Sequence, residues 1–450
     1  MSDAKHDTSR TGRLRAVVPL VAMALPLATW PGLAAPFSTP KRWLLAGAVI
    51  VLLPLLAWRA VRVRVPRQTG RALSGSKDGR GHSRHDSGLS AVPPSLQVVL
   101  VAWLASFAWS GLAAPAVSPE ALALGIAGPL WCLLIVTTAV PFTRLAASHV
   151  AGTIAVACVG LTQAVGLDPF VWCGWLPVID GASIRMRVYG TLGNPNFVAA
   201  LMAISIPLAG GLAVAPGGSR RMRVIAALAI VMMAAALAVT GSRAGAIGLA
   251  CGVVVFAVLL RHRLSRWAIA GAVLAAVAAI VASGGRGTIE TLRGRVYIWQ
   301  ITWAHAWERP ITGVGPGAFE LHYAGWDDAA RASMRAGARD VRFAGPQQAA
   351  HNDYLQALVE RGVAGLVTTL LVLATPVLLW RRSRHCPAGA RAALAGAAGA
   401  VAACAAVAAF DFPLQRPAET AALWMAVALA WQTTGSTLST TSPAAERMTS

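Results

Sequence analysis

Phe197-Val-Ala-Ala-Leu-Met-Ala-Ile-Ser-Ile-Pro-Leu-Ala-Gly-Gly-Leu-Ala-Val214 is an eighteen-residue run without a charge. After the basic stretch Arg220-Arg221-Met222-Arg223, a second run extends from Val224 to Gly241. Uncharged apolar runs of about this length read as transmembrane helices. Working outward, similar runs lie near 15–33, 43–60, 96–113, 121–140, 146–166, 245–260, 267–283, 363–380, 392–410 and 418–432. The expectation is an all-α, polytopic integral membrane protein of about ten to twelve spans. Composition agrees: 56% of the 450 residues are hydrophobic and 13% charged, against about 25% charged in soluble domains. Mean hydropathy is +0.59. A soluble enzyme and a disordered chain are both excluded. The first run follows Lys5, Arg10, Arg13 and Arg15 and has the form of a signal peptide. An uncleaved first span is favoured in a chain with so many others.

The net charge of +21 would point to nucleic acid in a soluble protein. Here it bears on orientation, and no nucleic-acid partner is expected. With a cytoplasmic N-terminus and twelve spans, the inner segments carry 24 Lys and Arg and the short outer loops carry six. That asymmetry obeys the positive-inside rule. It predicts cytoplasmic termini and an outer segment 284–361. The expected organisation is therefore 1–283 as spans, 284–361 as a periplasmic lid, and 362–432 as the last spans. Residues 66–95, rich in Arg, Gly and Ser, read as a disordered cytoplasmic loop near anionic lipid heads. Residues 433–450 read as a disordered tail. Six cysteines show no metal-ligand spacing and read as small buried hydrophobes.

Within the outer segment, Leu292, Val296, Trp299, Trp303 and Trp307 step by three or four, one face of a helix ended by Pro310. Such a tryptophan stripe suits the membrane interface, and plain core packing is the alternative. Gly313-Val-Gly-Pro-Gly317 reads as a tight turn, because a phosphate-binding loop needs a strand before it. Asp327-Asp328 reads as a surface turn or helix cap. His305 and His322 read as structural.

Four stretches together resemble the O-antigen ligase/polymerase superfamily of lipid-linked glycan transferases. The first is Arg187-Val-Tyr-Gly-Thr-Leu-Gly-Asn194-Pro-Asn196-Phe-Val-Ala199. The second is Thr240-Gly-Ser-Arg243-Ala-Gly at a span end. The third is Arg295-x-x-x-Trp299, followed by Pro310 and the glycine turn. The fourth is His351-Asn352, nine residues, then Gly362-x-x-Gly365. Asp411-Phe-Pro in the last outer loop also fits. The similarity covers roughly 185–415, and the first half matches only as a run of spans. The resemblance implies a membrane fold like that of class C glycosyltransferases, in the bacterial inner membrane. It implies a glycan donor on undecaprenyl diphosphate, transferred at the periplasmic face to an acceptor hydroxyl of lipid A-core, a growing chain or a protein. It implies an inverting, metal-independent reaction with no cofactor.

The residue chemistry fits this expectation. Charge develops on the leaving diphosphate and needs Mg²⁺ or cationic side chains. The outer face is poor in clustered carboxylates and rich in arginine: Arg187, Arg243, Arg293 and Arg295. A guanidinium fork matches phosphate geometry. Arg243, between two apolar runs, is a functional candidate by depth alone. The acceptor hydroxyl needs a base, and histidine, with an unperturbed pKa near 6.5, is suited to it. His351 is the candidate, with Arg243 and Arg295 as the other catalytic candidates. Arg187, Asn194, Asn196, Arg293, Asn352 and Asp411 are candidates for substrate binding. Asn194 and Asn196 read equally as caps of the helix after Pro195. A polymerase or protein O-oligosaccharyltransferase of the same superfamily remains open. A twelve-span transporter is disfavoured, since its long loop belongs inside between spans six and seven. A structural membrane subunit is a bland alternative.

Overall fold

The computed structural model describes residues 15–64, 92–174, 188–260, 287–333, 346–381 and 386–438. Every regular element among the described residues is helical. The order is α1 (Arg15–Leu27), α2 (Thr39–Arg64), α3 (Pro94–Ala113), α4 (Pro119–Thr138), α5 (Phe142–Ala164), α6 (Pro195–Val214) and α7 (Arg220–Thr240). Then follow α8 (Arg243–Leu259), α9 (Gly287–Ala306), α10 (Phe319–Ser333), α11 (Asp353–Trp380), α12 (Ala388–Ala408) and α13 (Pro417–Leu438). Among the described residues seven helices, α3 to α7, α11 and α12, are long and apolar enough to cross a membrane; α1 and α8 are shorter apolar helices. The protein is an all-α, multi-pass membrane protein. The expected span 267–283 and most of the expected loop 66–95 lie outside the described residues. Pro94 and Ser95 already belong to α3, and α13 continues to Leu438, so the tail begins later than expected.

Helix α6 forms the centre, buried almost continuously from Val198 to Leu212. Helices α8 and α12 close on it through small residues. A β-carbon on Gly252 would stand 2.7 Å from the Gly399 carbonyl oxygen, and one on Gly399 would stand 2.8 Å from that of Gly252. Lipid tails give no hydrophobic drive between helices, so close backbone approach and dispersion hold such a bundle together. The alanine-rich sequence of α12 is explained by this packing.

The loops that alternate crossing assigns to one face do meet at one end of the bundle. Lys41, at the start of α2, donates to the Ala28, Phe37 and Thr191 carbonyls at 2.7, 2.8 and 2.7 Å. Ser110 Oγ donates to the Glu360 carbonyl at 2.8 Å, and Ser118 N donates to that of Pro316 at 2.8 Å. At the other end Arg15 Nε donates to the Thr138 carbonyl at 3.0 Å.

Helix α11 is two helices joined at Gly362, whose φ of 66° and ψ of −166° are not helical. The break leaves carbonyls of Asp353–Arg361 without intrahelical partners. The 310–317 loop supplies donors: Val314 N reaches the Val359 carbonyl at 2.9 Å and Gly315 N that of Glu360 at 3.0 Å. In return Val363 N donates to the Pro310 carbonyl at 2.7 Å. Gly313-Val-Gly-Pro-Gly317 is thus the tight turn expected of it, docked on the kink. A β-carbon on Gly315 would sit 1.8 Å from the Ala116 carbonyl oxygen, so glycine is required by the contact as well as by its φ of 118°.

Helices α9 and α10 pack over this region with a core of Tyr297, Ile298, Ile301, Phe319, Tyr323 and Leu358. The packing face of α9 is therefore not the tryptophan stripe. Leu292, Val296, Trp303 and Trp307 are exposed, and only Trp299 turns in, its Nε1 donating to the Ala350 carbonyl at 3.0 Å. Core packing does not account for most of that stripe, because the buried side chains of α9, Tyr297, Ile298 and Ile301, lie on its other side. Asp327 also departs from expectation. It lies inside α10, fully buried, accepting from Tyr297 Oη at 2.7 Å and paired with Arg331 at 3.0 Å. His305 and His322 stack on Trp326, as structural residues do. Cys132, Cys386 and Cys404 are buried as expected, but Cys158 and Cys173 are exposed.

Candidate functional site

The site forms where α6, α11 and α13 begin and α9 passes over them. His351 immediately precedes α11. Its φ of 52° places a non-glycine residue in the left-handed region, at a cost of about 1–2 kcal/mol. Two neighbours hold it there. The Asn352 side chain caps α11, accepting from Tyr354 N at 3.1 Å and Leu355 N at 3.0 Å. On the other side Ala350 N donates to Gln356 Oε1 at 2.8 Å. Strain retained in this way is characteristic of functional positions.

The imidazole is 29% exposed and turns Nδ1 toward Asp411 Oδ1 at 3.6 Å. Its ring meets the edge of Phe412 with centroids 5.2 Å apart. Asp411, 2% exposed, is held from behind by Arg416 Nη1 at 3.2 Å, and Arg416 Nε lies 3.0 Å from Glu419. The Arg416 guanidinium stacks 3.9 Å from the Phe197 ring centroid and 5.1 Å from that of Phe412. Burial alone would push the Asp411 carboxyl up. The Arg416 charge, with His351 and Arg295, outweighs it and holds the group at about 2. Asp411 is thus a fixed anion beside the imidazole.

Arg295, on α9, is half-buried. Burial lowers its pKa, the Asp411 charge opposes that, and the Arg243 charge adds to it. Arg295 thus lies within electrostatic reach of both the Asp411 anion and the Arg243 guanidinium. Arg243 is the first residue of α8, half-buried; Ser242 caps that helix by accepting from Gly245 N at 3.3 Å. Guanidinium groups stay charged even where burial works against them.

Of the expected residues, His351, Asp411, Arg295 and Arg243 therefore come together. Asn352 adjoins them as a cap. Asn194 caps α6, accepting from Asn196 N at 2.9 Å, and Asn196 lies in the first turn of that helix. Arg293 is exposed on α9, one residue before the buried Gly294. Arg187 lies outside the described residues. Arg416, Phe412 and Glu419 were missed. The sequence held a signal for them: an arginine and a carboxylate three residues apart where a span begins demand a partner in a low-dielectric place.

Two cavities flank this centre. An apolar groove of about 480 Å³ lies between α9 and α11, lined by Val296, Trp299, Trp303, Tyr354, Leu358 and Leu366, with Asn352 in its wall. A polar cavity of about 380 Å³ lies on the other side of Phe412. Among the described residues no three His, Cys, Asp or Glu side chains are grouped to hold a metal ion.

No curated protein matches the chain. The family model described as O-antigen ligase matches residues 228–370, from within α7 to the spanning part of α11. That stretch carries Arg243, Arg295, His351 and the glycine-docked kink, and over it the chain is similar to the O-antigen ligase family.

Proposed function

We propose that the protein is an O-antigen ligase-like glycosyltransferase, moving a glycan from undecaprenyl diphosphate to an acceptor hydroxyl, with lipid A-core as the acceptor. The observation that supports this reading is the His351–Asp411 pair, with Arg295 under the influence of the Asp411 and Arg243 charges and an apolar groove lined by Val296 and Asn352, the chain neighbours of Arg295 and His351. A polyprenyl tail needs an apolar path, and its diphosphate needs cations where the path ends. With Nδ1 of His351 turned to Asp411, Nε2 is left for the acceptor. The acceptor oxygen attacks the anomeric carbon and its proton passes to Nε2. The bond from the anomeric carbon to the diphosphate oxygen breaks, and the electron pair goes to that oxygen. Arg295 and Arg243 stabilise the charge appearing there. Asp411 stabilises the imidazolium that forms. Attack opposite the leaving group inverts the anomeric centre.

In this reading the site faces the periplasm in the inner membrane, both termini are cytoplasmic, and segment 284–361 is a lid. Arginines take the role a metal plays in other phosphate-leaving reactions.

The test is a gel profile of surface polysaccharide from a strain lacking the gene, complemented with wild type or with His351→Ala. The expected result is loss of the long-chain ladder, accumulation of lipid-linked polymer, and rescue by wild type alone. Core bearing a single repeat would make the protein a polymerase. An unchanged ladder with lost glycoprotein bands would make it a protein O-oligosaccharyltransferase. Activity of the purified protein that vanished in EDTA and returned only with Mg²⁺ or Mn²⁺ would overturn the metal-independent mechanism.

A further inference from the structure

The polar cavity on the far side of Phe412 has a chemistry unlike the rest of the site. Four carboxylates face it, Glu120, Glu320, Asp353 and Glu360, against the guanidiniums of Arg42 and Arg361. Both cations are already engaged. Arg42 pairs with Glu120. Arg361 donates to Ser106 Oγ at 2.9 Å and Thr369 Oγ1 at 3.1 Å, with its guanidinium over the rings of Trp103 and Phe107 at 4.7 and 4.2 Å. A diphosphate placed here would find both cations occupied and would meet the carboxyl groups of Glu320, Asp353 and Glu360. A lipid tail would meet charge and amides.

The amides are organised. Gln356 Nε2 donates to Glu360 Oε1 and to Gln415 Oε1, both at 2.9 Å. Gln415 Nε2 donates to Asp353 Oδ1 at 3.1 Å. Asp353 Oδ2 accepts from Leu414 N at 2.8 Å. This chain ties the first half of α11 to the 413–415 turn and fixes the polar wall. Gln348 and Glu320 stand exposed at the mouth. Phe412 and Trp103 supply apolar ring surfaces. Carboxylate acceptors, amides that both donate and accept, and aromatic faces in a cavity of about 380 Å³ match a pyranose, whose hydroxyls need both kinds of partner and whose C–H face needs a flat apolar wall. The volume falls within the range of small-molecule sites, about 300–1,000 Å³.

Phe412 is shared. It lines this cavity, and its ring centroid lies 5.2 Å from that of the His351 imidazole in a T-shaped contact. We infer that the cavity between α2, α4 and the first half of α11 is the seat of the acceptor's sugar, delivering a hydroxyl past Phe412 to His351. The inference rests on the transferase reading above. It divides the site by chemistry: apolar groove for the donor's tail, arginines for its diphosphate, and the acidic amide-lined cavity for the acceptor's neutral hydroxyls.

Glu320→Gln and Gln348→Ala test it, since both residues are exposed at the mouth and outside the catalytic cluster. The full chain in lipid nanodiscs is assayed with a lipid-linked glycan donor and, as acceptor probe, the saccharide head released from the host's own lipid A-core. Each variant is expected to raise the acceptor KM roughly five- to ten-fold, the scale of a lost hydrogen bond to a ligand, with the donor KM and the acceptor-free loss of glycan to water unchanged. An unchanged acceptor KM in both variants, or a donor KM shifted equally, would overturn the assignment. If wild type transfers nothing, the transferase reading has failed by itself. Calorimetric titration of the same saccharide then decides the cavity: binding to wild type weakened in the two variants upholds a carbohydrate site, and no binding to wild type overturns it.

Discussion

Asp411 Oδ1 lies 3.6 Å from His351 Nδ1, while Oδ2 of the same carboxylate is 3.2 Å from Arg416 Nη1. The anion is therefore positioned by a buried cation and offered to the imidazole. Asp411→Asn keeps the shape and removes the charge that stabilises a protonated ring. Transfer by the purified variant is expected to fall by about a hundred-fold or more, the scale of acid–base assistance. Groups that act as a unit are not additive. The double variant Asp411→Asn/His351→Ala should thus be no slower than His351→Ala. Losses that multiply would sink the linkage.

Arg416 carries structure as well as electrostatics. It sits 6% exposed between Asp411 and Glu419, each 2% exposed. Removing one partner of such a buried group costs about 3–5 kcal/mol, because the others stay buried and uncompensated. Arg416→Met is expected to lower the thermal transition sharply and reduce the folded yield, measured by detergent size exclusion after heating. The carboxylate at Asp411 also fixes a pH window. Its folded pKa of about 2 lies below the unfolded value of about 3.9, so its contribution is present above pH 4 and lost as pH falls toward 2. Acid unfolding of Asp411→Asn should therefore be less steep between pH 4 and 2 than that of wild type. Identical acid profiles would contradict the depressed pKa.

Much of this was legible in the sequence, and what escaped has physical reasons. The spans were visible because eighteen uncharged residues have few fates outside a membrane. His351 and the arginines were visible through spacing and charge. Which face of α9 packs was not visible: Tyr297, Ile298 and Ile301 follow a helical period as well as the tryptophans do, and only the partners α10 and α11 decide. Asp327 looked like a surface residue because its neighbours are polar, yet Tyr297 and Arg331 take it inside. Arg416 was hidden because its charged partners, Asp411 and Glu419, lie within five residues of it but its role depends on His351, sixty-five positions earlier in the chain. Asn194 and Asn196 read as glycan ligands or caps, and the contact of Asn194 is that of a cap; the capping contacts of Asn352 were not foreseen.

The glycine turn gives a prediction about assembly. A β-carbon at Gly313 would approach the Glu360 carbonyl to 2.2 Å, and one at Gly362 would approach the Pro310 oxygen to 2.5 Å. Both glycines also have φ near +70°. Gly313→Ala and Gly362→Ala are each expected to unseat the turn from the kink, lowering thermal stability by at least about 1–3 kcal/mol for the strained backbone alone. Gly325, within α10, has nothing within 4 Å of the β-carbon position. Gly325→Ala should be neutral or stabilising by about 0.5–1 kcal/mol. Equal effects at the three positions would show that docking of the turn is not what the glycines serve.

Asn352 separates a capping role from a substrate contact. Its side-chain oxygen satisfies two amide donors at the start of α11, at 3.1 and 3.0 Å. Loss of such a cap costs about 0.5–2 kcal/mol. Here it would also release the backbone that holds His351 in the left-handed region. Asn352→Ala is therefore expected to lower both the thermal transition and the turnover. Asp accepts the same two bonds and suits a helix N-terminus, so Asn352→Asp should restore the thermal transition. If Asn352 acts only through the cap, turnover returns with it and the donor KM stays at the wild-type value. A variant that recovers stability but not turnover, with a raised donor KM, would show that the amide also touches the donor, since a carboxylate there would repel the diphosphate.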